Sequence, residues 1–227
     1  MIIEQMTEQQ NADYQIRELA CSKESGRIRL RWKYKQTSDF LVFFYDSRKE
    51  FDLKLACARL AAEGYSDPEL AEQPKRLLSV DTDSCLKFAY IKHAEFQRDG
   101  RCFSFPANML KKDLPYGICV FACVYDTQLH IFPAGTQHNI CYLPVRIKAE
   151  IRYKTKLFSK DKYCMLRLPY LEDYQDGCIR YYVEGVTSDF PLPQSCLGRE
   201  LVIVIPRRAK VRIRVQEEYK KYYLPLA

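Results

Sequence analysis

Polar and apolar residues alternate along most of this chain with a period of two, and residues 27–35 show it most cleanly. Arg27, Arg29, Arg31, Lys33 and Lys35 fall on one parity, and Ile28, Leu30, Trp32 and Tyr34 on the other. That is the pattern of a strand with one buried face. A weaker strand is expected over residues 14–21, with a turn at 23–26. Two segments break the alternation. Residues 40–46 (FLVFFYD) and 118–125 (ICVFACVY) are apolar on both parities. A strand in a two-layer sandwich has one wet face, so these two need cover on both sides.

The period changes after residue 50. Leu53, Leu55, Ala56, Leu60 and Ala61 approach helical spacing in an Ala- and Leu-rich run that stops at Gly64, predicting a short helix. Residues 67–78 (DPELAEQPKRLL) predict a further turn or two of helix, interrupted at Pro74. Strand character resumes over 86–98, turns at Asp99-Gly100 and continues over 102–110. A new set of alternating strands begins near Pro144: RIKAEIRYK, YCMLRL, CIRYYVEGV, ELVIVIP and KVRIRVQ. The expected organisation is therefore mainly β, with two tandem sandwich domains over 1–145 and 146–227 and a helical insertion at about 50–84. For the second domain a small barrel is the rival architecture.

The first domain resembles a fibronectin type III sandwich. Ile28-x-Leu30-x-Trp32 has the form of that family's strand B. Tyr116-Gly-Ile118-Cys-Val120-Phe-Ala122 has the form of its strand F, with Leu110 six residues before the tyrosine. The resemblance implies that Trp32 and Leu110 are core residues and that Tyr116 is a corner tyrosine tied to upstream backbone. It also places the insertion directly after strand C. Strands C and F are neighbours in such a fold, so their outer apolar faces would form one patch of Cys, Phe and Tyr. Monomers rarely leave such a patch wet, and the Leu/Ala helix is expected to lie over it as a third layer.

Composition adds a few limits. The chain has 227 residues and a net charge of +7. Residues 146–227 hold 17 Lys and Arg against 10 Asp and Glu, so all of the excess lies in the second domain. No apolar run approaches the ~20 residues that span a bilayer, and MIIEQMTEQQ does not read as a secretion signal. The ten cysteines lie mostly within strand patterns without a Cys-x-x-Cys pair, which fits core-filling thiols of a cytoplasmic protein.

No constellation marks a reaction. His138-x-x-Cys141 lacks a second pair for zinc. His93-Ala-Glu95 falls on one face of an expected exposed strand. Asp81, Asp83, Asp173 and Asp176 lack the spacing of a calcium loop, and neither Ser104 nor Ser188 stands in a nucleophile elbow. No catalytic residue, metal or cofactor is expected.

The basic segment is the one candidate surface. Lys210, Arg212 and Arg214 share a strand face opposite Val211, Ile213 and Val215, and Arg207 and Arg208 precede them. Lys220, Lys221, Tyr219, Tyr222 and Tyr223 follow, a mixture suited to single-stranded nucleic acid and equally to an ordinary solvated face. The leading expectation is a non-catalytic interaction or adaptor module with a protein partner. Nucleic-acid binding through Arg207 to Arg214 is the alternative, and a carbohydrate-related accessory module a further one.

Overall fold

The computed structural model describes residues 1–65, 67, 76–80, 85–135, 138–155, 157–171 and 174–226. The chain is mainly β and divides into two compact units, one of residues 1–112 with 116–143, the other of residues 113–115 with 144–227.

The first unit contains β1 (Ile2–Ile3), α1 (Glu8–Asp13), β2 (Arg17–Glu24), β3 (Arg27–Lys33), β4 (Asp39–Asp46), α2 (Leu53–Ala62), β5 (Leu78–Ser79), β6 (Lys87–Ile91), α3 (His93–Arg98), β7 (Cys102–Pro106), β8 (Tyr116–Tyr125), β9 (Leu129–Phe132) and β10 (Ile140–Leu143). One sheet runs β2-β3-β7. The other runs β1-β9-β8-β4-β6-β5, with β10 also pairing β8. This is the strand arrangement of a fibronectin type III-like sandwich, with the last strand split into β9 and β10.

Ile28, Leu30 and Trp32 of β3 and Phe103 and Phe105 of β7 are buried between the sheets with Phe40, Val42, Phe44, Ile118, Val120 and Ala122. The edge-on ring contacts Trp32–Phe40 and Phe44–Phe105, both at 5.2 Å between centroids, join the two layers. The Lys111 N–H donates to the Tyr116 hydroxyl at 3.1 Å, and Leu110 is buried beside this corner.

The opposite parity of β4 and β8 is covered by α2. Leu41, Phe43, Cys119, Phe121 and Cys123 form one apolar cluster with Ala56, Cys57 and Leu60 of that helix, and Tyr125 packs half-buried against it. Asp52 starts the helix by accepting the Leu55 N–H at 3.1 Å. Its end is a left-handed Gly64 (φ +83°), with the Tyr65 N–H on the Leu60 carbonyl and the Gly64 N–H on that of Ala61. Leu55 faces away, 51% exposed, whereas Leu60 is fully buried. The doubly apolar strands therefore have their expected third layer.

Three expectations are corrected. The strand read over residues 86–98 ends at Ile91, and α3 follows it. The Asp39 carboxylate accepts the His93 N–H at 2.7 Å and the Tyr90 hydroxyl at 2.5 Å, which fixes the first turn. Phe96 then stacks on Trp32 with centroids 4.1 Å apart. The strand expected over residues 14–21 is β2 and begins only at Arg17, because Tyr14 caps the end of α1 and stacks on Phe132 at 3.8 Å. Strand β7 gives way to a 3-10 turn at Ala107–Met109, short of residue 110. Most of the expected second helical stretch (residues 68–75) lies outside the described residues, as do Asp81, Asp83 and Asp173.

The second unit contains β11 (Val145–Lys148), β12 (Glu150–Thr155), β13 (Asp161–Arg167), β14 (Ile179–Val183), β15 (Asp189–Pro191), β16 (Glu200–Pro206), β17 (Val211–Val215) and β18 (Tyr223–Leu226). Its sheets are β12-β13-β16 and β15-β14-β17, with β11 and β18 as a separate parallel pair. The alternation of RIKAEIRYK conceals a break at Ala149, where the chain passes from one pairing to the other. Cys164, Leu166, Ile179, Val183, Ile205, Val211 and Val215 fill the space between the sheets. With two separate sheets packed face to face, this unit is a sandwich and not a barrel.

A candidate interaction surface on the second unit

Strand order exposes a difference between the units. In the first, β8 is paired on one side by β4 and on the other by β9 and β10. In the second, β17 occupies the place of β8, with β14 on one side. The following strand, β18, pairs with β11 instead. The far side of β17 is an unfilled strand position.

Hydrogen-bond parity shows what that edge offers. The Glu184 N–H donates to the Lys210 carbonyl at 2.8 Å and the Gln216 N–H to the Cys178 carbonyl at 3.0 Å. In antiparallel register, Lys210, Arg212, Arg214 and Gln216 thus direct their backbone groups toward β14, and Val211, Ile213 and Val215 toward the open side. The Tyr153 hydroxyl accepts the Val211 N–H at 2.9 Å and closes one end. The Ile213 and Val215 N–H groups have no partner among the described residues. Beside them lies a groove of about 650 Å³, lined by Ile147, Ala149, Ile151, Ile213 and Val215 and flanked by Lys148 and Arg212.

Lys210, Arg212 and Arg214 do share the outer side of this sheet, and Arg207 and Arg208 are exposed in the turn before β17. Arg212 is bound to Glu184 at 3.0 Å. The neighbouring Arg180, opposite Arg214, reaches Asp189 at 3.1 Å. Arg207, Arg208, Lys210 and Arg214 have no carboxylate partner among the described residues. The aromatic residues after β17 are largely drawn inward: Tyr223 is buried, and Tyr219 and Tyr222 pack against the core. The exposed rings Tyr153, Phe158, Tyr170 and Phe190 sit on four different segments.

The other candidates separate. His93 and Glu95 lie two residues apart on α3, hence on different sides of the helix rather than on one strand face. Cys141 hydrogen-bonds the Cys21 thiol, which lowers the pKa of Cys21 and raises that of Cys141. The His130 Nδ1–H donates to the Glu4 carboxylate, 2.6 Å away, and its Nε2 stands 3.5 Å from Asp126. The hydrogen bond to Glu4, aided by the Asp126 charge, raises the His130 pKa above its usual value. All ten cysteines are free thiols. Among the described residues, no three His, Cys, Asp or Glu side chains gather as metal ligands do, and no helix is long and apolar enough to cross a membrane.

The β17 edge escaped the sequence because alternation reports which face of a strand is buried, not whether a neighbour occupies its edge. No protein-family model matches the chain, and no curated protein does. Among solved structures it is similar to the crystal structure of chicken CNTN1 FN1-FN3 domains, at 6% identity and a TM-score of 0.25. The match covers 87% of this chain and 54% of that one. A likeness this distant carries no function across.

Proposed function

We propose that this chain is a non-catalytic protein-interaction module whose second unit takes up an extended polypeptide segment along β17. The unfilled strand position supports this reading. A segment laid there would receive hydrogen bonds from the Ile213 and Val215 N–H groups and return its own to the carbonyls of that edge, which is recognition by strand addition. Its alternate side chains would meet two different surroundings. One parity would enter the apolar groove of Ile147, Ala149 and Ile151. The other would face Lys148, Arg212 and Arg214. The preferred partner is therefore an extended segment in which apolar residues alternate with acidic ones. In the first unit, the burial of both faces of β4 and β8 favours a structural over a catalytic role.

The test is a binding titration with a synthetic strand peptide of alternating Val and Glu, beside the same peptide with Lys in place of Glu. The Glu peptide is expected to bind and the Lys peptide to bind more weakly. Ile213→Pro, which removes an edge N–H that no internal bond uses, is expected to abolish binding, and Lys148→Glu to weaken it. Binding indifferent to both substitutions would refute the assignment.

The unpaired Arg207, Arg208, Lys210 and Arg214 favour a second reading, in which this surface holds nucleic-acid phosphates. Single-stranded DNA would then bind with an affinity that falls steeply as salt rises. No binding at low salt would remove that alternative.

A further inference from the structure

The opposite sheet of the second unit ends in a different kind of edge. Just past β16 the Arg207 N–H donates to the Lys160 carbonyl at 2.9 Å, and the register pairs Ile205 with Lys162 and Ile203 with Cys164. Leu201, Ile203 and Ile205 therefore point their backbone groups toward β13, and Glu200, Val202 and Val204 point theirs outward. No strand pairs that side among the described residues. The side chains of Val202 and Val204 are 55% and 62% exposed on the outer sheet face, next to Tyr163 and Met165 of β13 in register.

Natural edge strands are usually guarded by a central charge, a proline or a bulge. From Leu201 to Ile205 this one has none; Glu200 and Pro206 stand only at its ends. A five-residue run of Leu, Val and Ile in which the Val202 and Val204 N–H groups face no neighbouring strand among the described residues is a template for another strand.

We propose that β16 pairs antiparallel with β16 of a second copy of this chain, centred on Ile203. In that register Val202 of each copy exchanges both hydrogen bonds with Val204 of the other. The Glu200 N–H of each meets the Pro206 carbonyl of the other, and Pro206, lacking an N–H, ends the ladder. Charge selects the same arrangement. The edge carries Arg199 and Glu200 at one end and Arg207 and Arg208 at the other. Antiparallel pairing sets each Glu200 beside the other copy's Arg208 and opposes Arg199 to Arg207 as its one like-charge pair. A parallel pair would stack like charges. The side chains of Val202 and Val204 then meet across the two-fold axis, and the outer sheet becomes continuous through both copies. One short edge lies at the small end of interface sizes, so the association is reversible and concentration-dependent rather than obligate. It uses the sheet edge opposite the proposed peptide groove, and either can fail without the other.

Sedimentation velocity over a concentration series tests the pairing. The wild-type chain is expected to pass from its monomer mass of 26.8 kDa toward twice that value as concentration rises. Val204→Lys replaces a side chain already mostly in water, so the fold is retained, and it sets a cation at both symmetry-related contacts. It is expected to weaken association roughly tenfold or more. Glu200→Arg is expected to weaken it too, and adding Arg207→Glu and Arg208→Glu to restore it. As a second readout, the Val202 and Val204 amides gain protection from hydrogen exchange as wild-type concentration rises. A chain that stays monomeric at its highest soluble concentration overturns the proposal. So does a dimer unaffected by Val204→Lys, or one lost on Ile213→Pro instead.

Discussion

Leu60 and Leu55 lie on the same helix and face opposite ways, which makes them a paired test of the third layer. Truncating Leu60 to Ala removes three buried carbons, worth about 2.4 kcal/mol at ~0.8 kcal/mol each. The cavity left against the β4–β8 sheet adds to this. The expected loss is about 3 kcal/mol, near the lower end of measured Leu→Ala costs. Leu55→Ala removes the same atoms from a half-wet position and gains slightly in helix propensity, so its net effect stays within about 0.5 kcal/mol. Trp32 is the chain's one tryptophan and lies in the core of the first unit. Its emission during urea unfolding therefore follows that unit alone. With a slope near ~2 kcal/mol per M, Leu60→Ala is expected to lower the midpoint by about 1.5 M while Leu55→Ala leaves it almost unmoved. Equal shifts for the two variants, or a Leu60→Ala cost under about 1 kcal/mol, would refute the claim that α2 seals the outer face.

Three further outcomes follow from named groups. Burial pushes the Cys57 thiol up to about 11, Cys119 up to about 12 and Cys123 well above its usual value. In the native state all three should resist alkylation at neutral pH, as mass spectrometry would show, and Leu60→Ala should speed their labelling. His130 holds its proton above the ordinary 6.5 because Glu4 and Asp126 face it. The stability it contributes is fully present below that unfolded value and is lost as pH rises through the raised folded one. An NMR titration should show Glu4→Gln moving its pKa back toward 6.5. Tyr116→Phe removes the hydroxyl that accepts the Lys111 N–H, and is expected to cost the first unit about 1 kcal/mol in the same urea assay.

Sequence reasoning reached furthest where a single parity decided the outcome. Trp32, Leu110 and Tyr116 could be placed because the motifs that hold them resemble strands B and F of a fibronectin type III sandwich, and that resemblance implies a tied corner. The cover over Phe121 could be inferred because no half-exposed strand carries apolar residues on both parities. It failed at α3, where one buried ring, Phe96, and an anchor distant in sequence, Asp39, decide the backbone against a strand. It also could not rank Val202 and Val204 against Leu201, Ile203 and Ile205, since every residue of ELVIVI after Glu200 is apolar. The edges of β16 and β17 were out of reach for a related reason. An edge is defined by a strand that is missing, and a one-dimensional pattern of polarity does not register a missing neighbour. The basic residues from Arg207 to Arg214 were visible from the start, but the groove beside them was not.

Residue-resolved amide exchange in dilute protein tests the central claim most directly, because strand addition requires edges that are open in the free chain. Ile213 and Val215 should exchange nearly as fast as unstructured peptide, while Arg212 and Arg214 on the same strand, bonded to β14, exchange slowly. Adding the alternating Val and Glu peptide should then protect Ile213 and Val215 selectively. Slow exchange at these two amides in the free protein, or no change when the peptide is added, would contradict the account.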